Sequence, residues 1–353
     1  MFVSAGTFAI VAEPSDPFQD FEKFFVQPKH YVAAKTSTPP VIDGDISEKV
    51  WQLAEWTEEF RDIEGASKPL PYYATKAKML WDQDYLYIAA ELKDKHVWAL
   101  LGQRDQIVYH DNDFEVFIDP SNRAHNYFEF EINAKNTMFD LFLIKPYRSG
   151  KGALISWDCK GVKHAVKING SLNDTSDEDT GWMVEMAIPF KGLESQPPRD
   201  KDYWRVGFSR VEWDTHIVDG RYEKNVDNKG KRLPERNWVW SPTGAIDMHM
   251  PERWGYVQFS AQEIGTELPK FEFPYREKQR QYLWLIFYKQ RQYRSQHQQF
   301  AKTLQELGVD STVEIDGSAN SLTLESTTSQ FTVTIKDSTR PPIRLNDEGL
   351  VRE

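Results

Sequence analysis

The stretches RDQIVYHDNDFEVFIDP (Arg104–Pro120) and NYFEFEIN (Asn126–Asn133) decide the fold class. In the first, Phe114, Val116 and Ile118 fall on one side, and Glu115, Phe117 and Asp119 on the other. In the second, Phe128, Phe130 and Ile132 oppose Glu129 and Glu131. A period of two over such short runs marks half-buried β-strands. Outward from this pair the same texture recurs in Lys76–Trp81, Tyr85–Leu92, Met138–Ile144, Val162–Ile168, Trp182–Ile188, Trp204–Val211 and Gly255–Phe259. Short strands at this spacing, with turns between them, predict a mainly β fold. The expected architecture over residues 31–260 is an antiparallel β-sandwich of jelly-roll or immunoglobulin-like type. The one helical signal inside it is Ser47–Ala54.

Outside that span the texture changes. Residues 1–30 read as a leader or the remnant of an export signal, interrupted by Pro14, Pro17 and Pro28. After Pro269, the run Tyr275–Leu307 lacks Gly and Pro and is rich in Gln, Arg, Lys and Leu. Ile286, Tyr293, Phe300 and Leu307 recur every seventh residue, and Leu283, Gln290, His297 and Leu304 form a second line. The pattern predicts one helix of about 50 Å at roughly 1.5 Å per residue. Gln290 and His297 leave its seam half polar, so it is expected to dock on the sandwich, and helix 276–307 is also a candidate surface for a protein partner. The chain therefore divides into 1–30, 31–260, 261–311 with the helix, and 312–353. In the last part Thr312–Lys336 alternates as a β-hairpin and Arg340–Glu353 is expected to be loose.

Composition narrows the function. The net charge of −11 argues against nucleic acid as a partner, because phosphate binding needs a basic field. A single cysteine, Cys159, rules out an internal disulfide, and no apolar run has transmembrane length. Aromatic residues reach 14%; most must fill the sandwich core, but Tyr and Trp also serve as flat platforms with a polar edge.

Four ordered motifs then carry a resemblance: PPVIDGDISEKVW (Pro39–Trp51), MLWDQDYLYIAAELKD (Met79–Asp94), the Arg104–Asn133 region, and DTGWMVEMAIPF (Asp179–Phe190) continuing through WRVGFSRV to WVWSP and HMPERWGYVQF. Over about two-thirds of the chain the sequence resembles family 9 carbohydrate-binding modules. That resemblance implies a β-sandwich gripping a terminal sugar between two aromatic side chains. Tyr109 stands at the first aromatic position and Trp240 at the second. Glu115 holds the family's glutamate position, whereas Glu131 stands where the family pattern has an arginine, so the charge there is reversed. Asp111 and Asn133 complete the implied ligand-binding set. The implied partner is an oligosaccharide or polysaccharide, and the implied setting is secreted or periplasmic in a bacterium that uses polysaccharides.

The residues leave other readings open. Trp51, Trp81 and Trp182 read as core, and Glu115 and Glu131 could simply line a solvated sheet face. No cofactor is demanded, but calcium is conceivable where HDND (His110–Asp113) and NDTSDEDTG (Asn173–Gly181) gather oxygens. A glycosidase-type carboxylate pair from Asp111, Asp113, Glu115, Glu129 and Glu131 is the catalytic alternative. Haem held by Met248, His249 and Met250 is a third. The basic loop Arg221–Arg236 beside WVWSP could favour acidic glycans.

Overall fold

The computed structural model describes residues 16–353; the first half of the expected leader, with Pro14, lies outside the described residues. The sandwich strands run, in order, β1 (His30–Lys35), β2 (Arg61–Asp62), β3 (Thr75–Trp81), β4 (Tyr85–Leu92), β5 (Asp113–Asp119), β6 (Tyr127–Asn133), β7 (Met138–Leu143) and β8 (Ala153–Leu154). They continue with β9 (Lys163–Asn169), β10 (Gly181–Pro189), β11 (Tyr203–Glu212), β12 (Thr215–Val218), β13 (Arg221–Lys224), β14 (Arg236–Val239) and β15 (Gly255–Glu263). A short helix, α1 (Lys49–Leu53), interrupts them, as Ser47–Ala54 foretold.

The main ladder has the order β8-β7-β6-β5-β11-β15-β1-β3-β4-β10-β9. It folds over on itself: Phe114, Val116 and Phe130 from one half share a core with Met79, Ile88, Val184 and Met186 from the other. Each contributor is the inward member of an alternating strand, which is why period two predicted the sandwich. The ladder departs from pure antiparallel pairing at β1, which runs parallel to both β15 and β3. The register slips between Ala34 and Lys35, so one short strand hands pairing from one layer to the other.

The PPVIDGDISEKVW turn is fastened by a buried carboxylate. Glu185 on β10 accepts from Trp51 Nε1 at 2.6 Å, Gly44 N at 2.7 Å and Asp43 N at 3.1 Å. Gly44 sits at φ +88°, and a Cβ there would strike the Lys167 backbone at 2.8 Å, so the turn requires glycine. Burial pushes the Glu185 carboxyl up to about 7 despite these donors.

The C-terminal third differs from expectation in three ways. The helix, α2 (Tyr275–His297), stops ten residues early: Gln298 takes a left-handed conformation at φ 59° and the chain folds back. The side chain of Gln290 holds the return, donating to Ala301 O at 3.0 Å and accepting from Ala301 N at 2.9 Å. Phe300 and Leu307, in heptad register by number, are therefore buried from the return segment. Second, the expected hairpin is a five-stranded antiparallel meander of β16 (Thr312–Ile315), β17 (Ser318–Ser326), β18 (Phe331–Lys336), β19 (Ile343–Asn346) and β20 (Val351–Arg352). Ile343, Leu345 and Val351 are buried in it, so the tail is ordered rather than loose.

Third, α2 lays Leu283, Ile286 and Phe287 among the apolar residues of this meander as well as beside Ala124 and Met250 of the sandwich, which it also meets through ions. Glu277 accepts from Arg205 at 2.7 Å, Arg280 at 2.7 Å, Tyr256 at 2.9 Å and Tyr203 at 3.0 Å. Glu252 is gripped by both terminal nitrogens of Arg148 and by the Tyr288 hydroxyl. Part of the leader joins this junction, with Phe24 stacked on Tyr288 at 4.6 Å. The helix face proposed for a protein partner is thus largely occupied within the chain. Among the described residues no helix is long and apolar enough to cross a membrane.

Candidate functional site

The alternation in β5 and β6 sends their second face away from the sandwich core. Register then sets like charges side by side: Glu115 lies opposite Glu131, and Phe117 opposite Glu129. On the other flank of β5, Ser209 of β11 lies opposite Glu115. Carboxylates directly across a ladder repel, so this arrangement opposes folding unless something compensates. Nor is the face a solvated one. Asp113 is fully buried, and Glu115, Glu129 and Glu131 are only 3–6% exposed. Val108, Trp254 and Leu141 pack with Phe117 and Tyr127 around them.

Carboxylate oxygens of Asp113, Glu115 and Glu131 lie within 4.8 Å of one another. Glu131 accepts the Tyr109 N–H at 2.9 Å. The Ser209 hydroxyl and the Val211 backbone lower the Glu115 and Asp113 carboxyls by hydrogen bonding, while Glu129 Oε2 lacks a hydrogen-bond partner among the described residues. Among the described residues no lysine or arginine forms an ion pair with the four acids; His249 Nε2 lies 4.0 Å from Glu129, and Lys224 acts on Asp113 at longer range. Burial drives that imidazole down to about 3, so it is neutral and brings no charge. Burial, then mutual repulsion, pushes Asp113, Glu129 and Glu131 well up, and burial lifts Glu115 to about 7.

Two tyrosines stand at the rim. Tyr109, on the 3₁₀ turn Val108–His110, is 37% exposed, and Tyr147, on the turn Tyr147–Ser149, is 49% exposed. Burial and then Glu129 and Glu131 push the Tyr147 phenol up to about 12. Burial, Glu235, Glu131 and Glu115 raise that of Tyr109. Glu131 acts on both phenols, with Glu129 added at Tyr147 and Glu115 at Tyr109. Tyr147 is braced edge-on by His249 at 4.4 Å, and the Tyr109 carbonyl accepts from Trp213 Nε1 at 2.9 Å.

The expected residues divide accordingly. Tyr109, Glu115 and Glu131 come together. Trp240 does not join them: it is fully buried, packs on Phe208 at 5.7 Å, and fits only because residue 255 is glycine, where a Cβ would meet its ring at 2.4 Å. Its neighbour Trp238 is buried too, so neither indole of WVWSP offers a platform. Asp111 and Asn133 are staples. Asp111 accepts from Leu100 N, Leu101 N and Asn133 Nδ2, while Asn133 Oδ1 accepts from Lys135 N and Thr137 N. Both are buried and their hydrogen bonds hold the adjacent loops, those to Asp111 all falling on Oδ2.

The remaining alternatives lose ground in the same way. In the second acidic run, Asp179 is spent on Val97 N and Ser171 N, and Asp177 on the Ser171 hydroxyl. His249 is engaged through Nδ1 with the Tyr127 hydroxyl at 2.9 Å, Met250 packs in the helix-side core and Met248 packs against the Trp254 cluster. The basic loop does reach the site: Lys224 lies over the Trp213 ring at 3.5 Å and donates to the His110 carbonyl. Sequence reading missed Tyr147 and Ser209. Tyr147 lies in the irregular stretch KPYRSGK, where no pattern marks it, whereas Ser209 could have been found from the register of β11 against β5.

A family model described as "Carbohydrate family 9 binding domain-like" matches residues 42–258. Endo-1,4-beta-xylanase A of Thermotoga maritima is 34% identical over 167 residues, which are 47% of this chain and 13% of the xylanase. Endo-1,4-beta-xylanase C of Paenibacillus barcinonensis is 31% identical over 182 residues, 52% of this chain and 14% of that enzyme. The chain thus spans only about an eighth of these relatives' length. A family 9 module of Caldicellulosiruptor kristjanssonii, solved with cellotriose, superposes with a TM-score of 0.45 at 17% identity, covering 69% of this chain and all of the module. Because the family model matches more than half of the residues, the chain belongs to the carbohydrate family 9 binding domain-like family.

Proposed function

We propose that the chain is a non-catalytic glycan-binding protein that holds a sugar between Tyr109 and Tyr147, above the acids of β5 and β6. The observation that carries this reading is the pair of part-exposed rings, Tyr109 and Tyr147, whose phenols both feel Glu131, beside a Glu131 that accepts the Tyr109 N–H. The C–H face of a pyranose packs on an aromatic ring, and its hydroxyls donate well to carboxylate oxygens. Its place of work is outside the cytoplasm, where intact polysaccharides are met. Since the matched relatives bear the names of xylanases, β-1,4-linked xylo-oligosaccharides are the first ligands to try. The reversed charge at Glu131 favours a sugar that donates, rather than accepts, at that position.

A broad glycan array on the full chain, with product analysis of each hit, tests this. The expected result is retention of at least one glycan without new reducing ends, weakened about tenfold by Tyr147→Ala. An empty array, or hits indifferent to Tyr147→Ala, contradicts the site. A hydrolytic reading draws on the same carboxylates, whose spacing is near the roughly 5 Å of retaining pairs. It requires turnover that vanishes in Glu115→Gln.

A further inference from the structure

Strand β1 is only half paired, and the space beside it is open. From His30 to Ala33 it pairs with β15 alone among the described residues, and β3 joins only at Ala34 and Lys35. The loop after α1 takes the β3 edge instead, with the Thr57 N–H donating to Ala77 O at 2.8 Å and the Phe60 N–H to Thr75 O at 3.0 Å. Between β1, that loop and the linker after β15 lies a groove of about 840 Å3, lined among others by His30, Val32, Glu55, Trp56, Glu267 and Phe271. Its size is that of sites for drug-sized ligands, enough for about two or three sugar rings. We propose that this groove is a second glycan site, which takes a neutral oligosaccharide chain.

Two rings furnish its stacking faces. Trp56 is half-buried, and the Lys76 and Lys78 ammonium groups each lie 4.3 Å from a ring centroid of its indole. Those lysines share one face of β3, and both are already engaged, Lys76 with Glu91 at 3.2 Å and Lys78 with the Trp51 carbonyl. They brace the indole from the sheet side while the ring borders the groove. Phe271, also half-buried, stacks on His30 at 4.5 Å and so ties the linker to β1. Part-exposed rings in a groove offer the apolar surface on which pyranose C–H groups pack.

The polar lining suits hydroxyls. Glu55 and Glu267 are exposed carboxylates, which accept hydroxyl protons strongly. The open edge of β1 adds backbone N–H and C=O groups, so a sugar hydroxyl can be met both as donor and as acceptor. Charge selects against uronate or sulfated sugars. Glu55, Glu58 and Glu267 all border the groove, and of its lining residues only Lys270 carries a fixed positive charge. The groove shares no residue with the site over β5 and β6, and the inference stands without it.

The test uses the full chain. Xylohexaose, cellohexaose and mannohexaose are titrated calorimetrically at millimolar concentrations, and hydrogen exchange with and without each sugar maps where it binds. The expected result is sugar-dependent protection of residues 53–58 and 264–271, with binding there weakened about tenfold by Trp56→Ala. Glu267→Gln, on an exposed side chain, should also weaken binding while leaving Tm unchanged, which separates a lost ligand contact from misfolding. Absence of heat with all three sugars overturns the groove site, as does binding that survives both substitutions. Protection of the same segments by raised protein concentration alone, with dimers in sedimentation, assigns the groove to a second copy of the chain and overturns it too. Tyr147→Ala keeps the two glycan sites apart. Sugar lost with Tyr147→Ala but indifferent to Trp56→Ala defeats the groove alone, and the reverse pattern defeats the rim site alone.

Discussion

Glu185 and Trp240 show what single residues contribute. Glu185 joins α1, the Asp43–Gly44 turn and β10 through three accepted hydrogen bonds. Its folded-state carboxyl is raised from 4.5 to about 7, so the folded chain holds this proton more tightly than the unfolded one. Its effect on stability is therefore neutral below about pH 4.5, turns unfavourable as pH rises, and levels off above about 7. Glu185→Gln removes that dependence. Urea unfolding at pH 5 and 8 should show wild-type stability falling against the variant by up to about 3 kcal/mol. A constant difference between the two would contradict the buried, raised carboxyl. Alternation along FEVFID and YFEFEIN identified which side chains share the outer face, but not that the face is enclosed. Its covers, Val108, Tyr147 and Trp254, arrive from separate turns, and no local pattern brings them together.

At the scale of elements, strands were more legible than the helix because their period-two signal depends on one neighbouring core. The segment Tyr85–Leu92 is observed with the bounds the pattern predicts, and the other eight within a few residues. The helix was overextended because Phe300 and Leu307 continue the heptad count while belonging to a return segment. Gln290 explains how a polar residue in the seam produces that return: its buried amide substitutes for a backbone partner at Ala301. Gln290→Ala leaves the Ala301 N–H and carbonyl unpaired and should cost about 2 kcal/mol. Hydrogen exchange should show residues 298–304 losing protection first. Unchanged exchange there would mean that the return is held by Phe300 and Leu304 packing alone.

For the whole molecule, the sandwich presents the acid-floored face while the helix and meander occupy a separate junction built on Glu277 and Glu252. The family was legible from four motifs in order, whereas the second aromatic of the site was not, since the WVWSP indoles are consumed by the core. In the proposed site Tyr147, on a turn between β7 and β8, takes that place. In the proposed site Tyr109, not Trp240, faces the ligand. Calorimetric titration of the strongest array glycan into wild type, Tyr109→Ala and Trp240→Phe tests it most directly. The account predicts a loss of about tenfold or more for Tyr109→Ala, and wild-type affinity with a lowered Tm for Trp240→Phe. Wild-type affinity in Tyr109→Ala would contradict it.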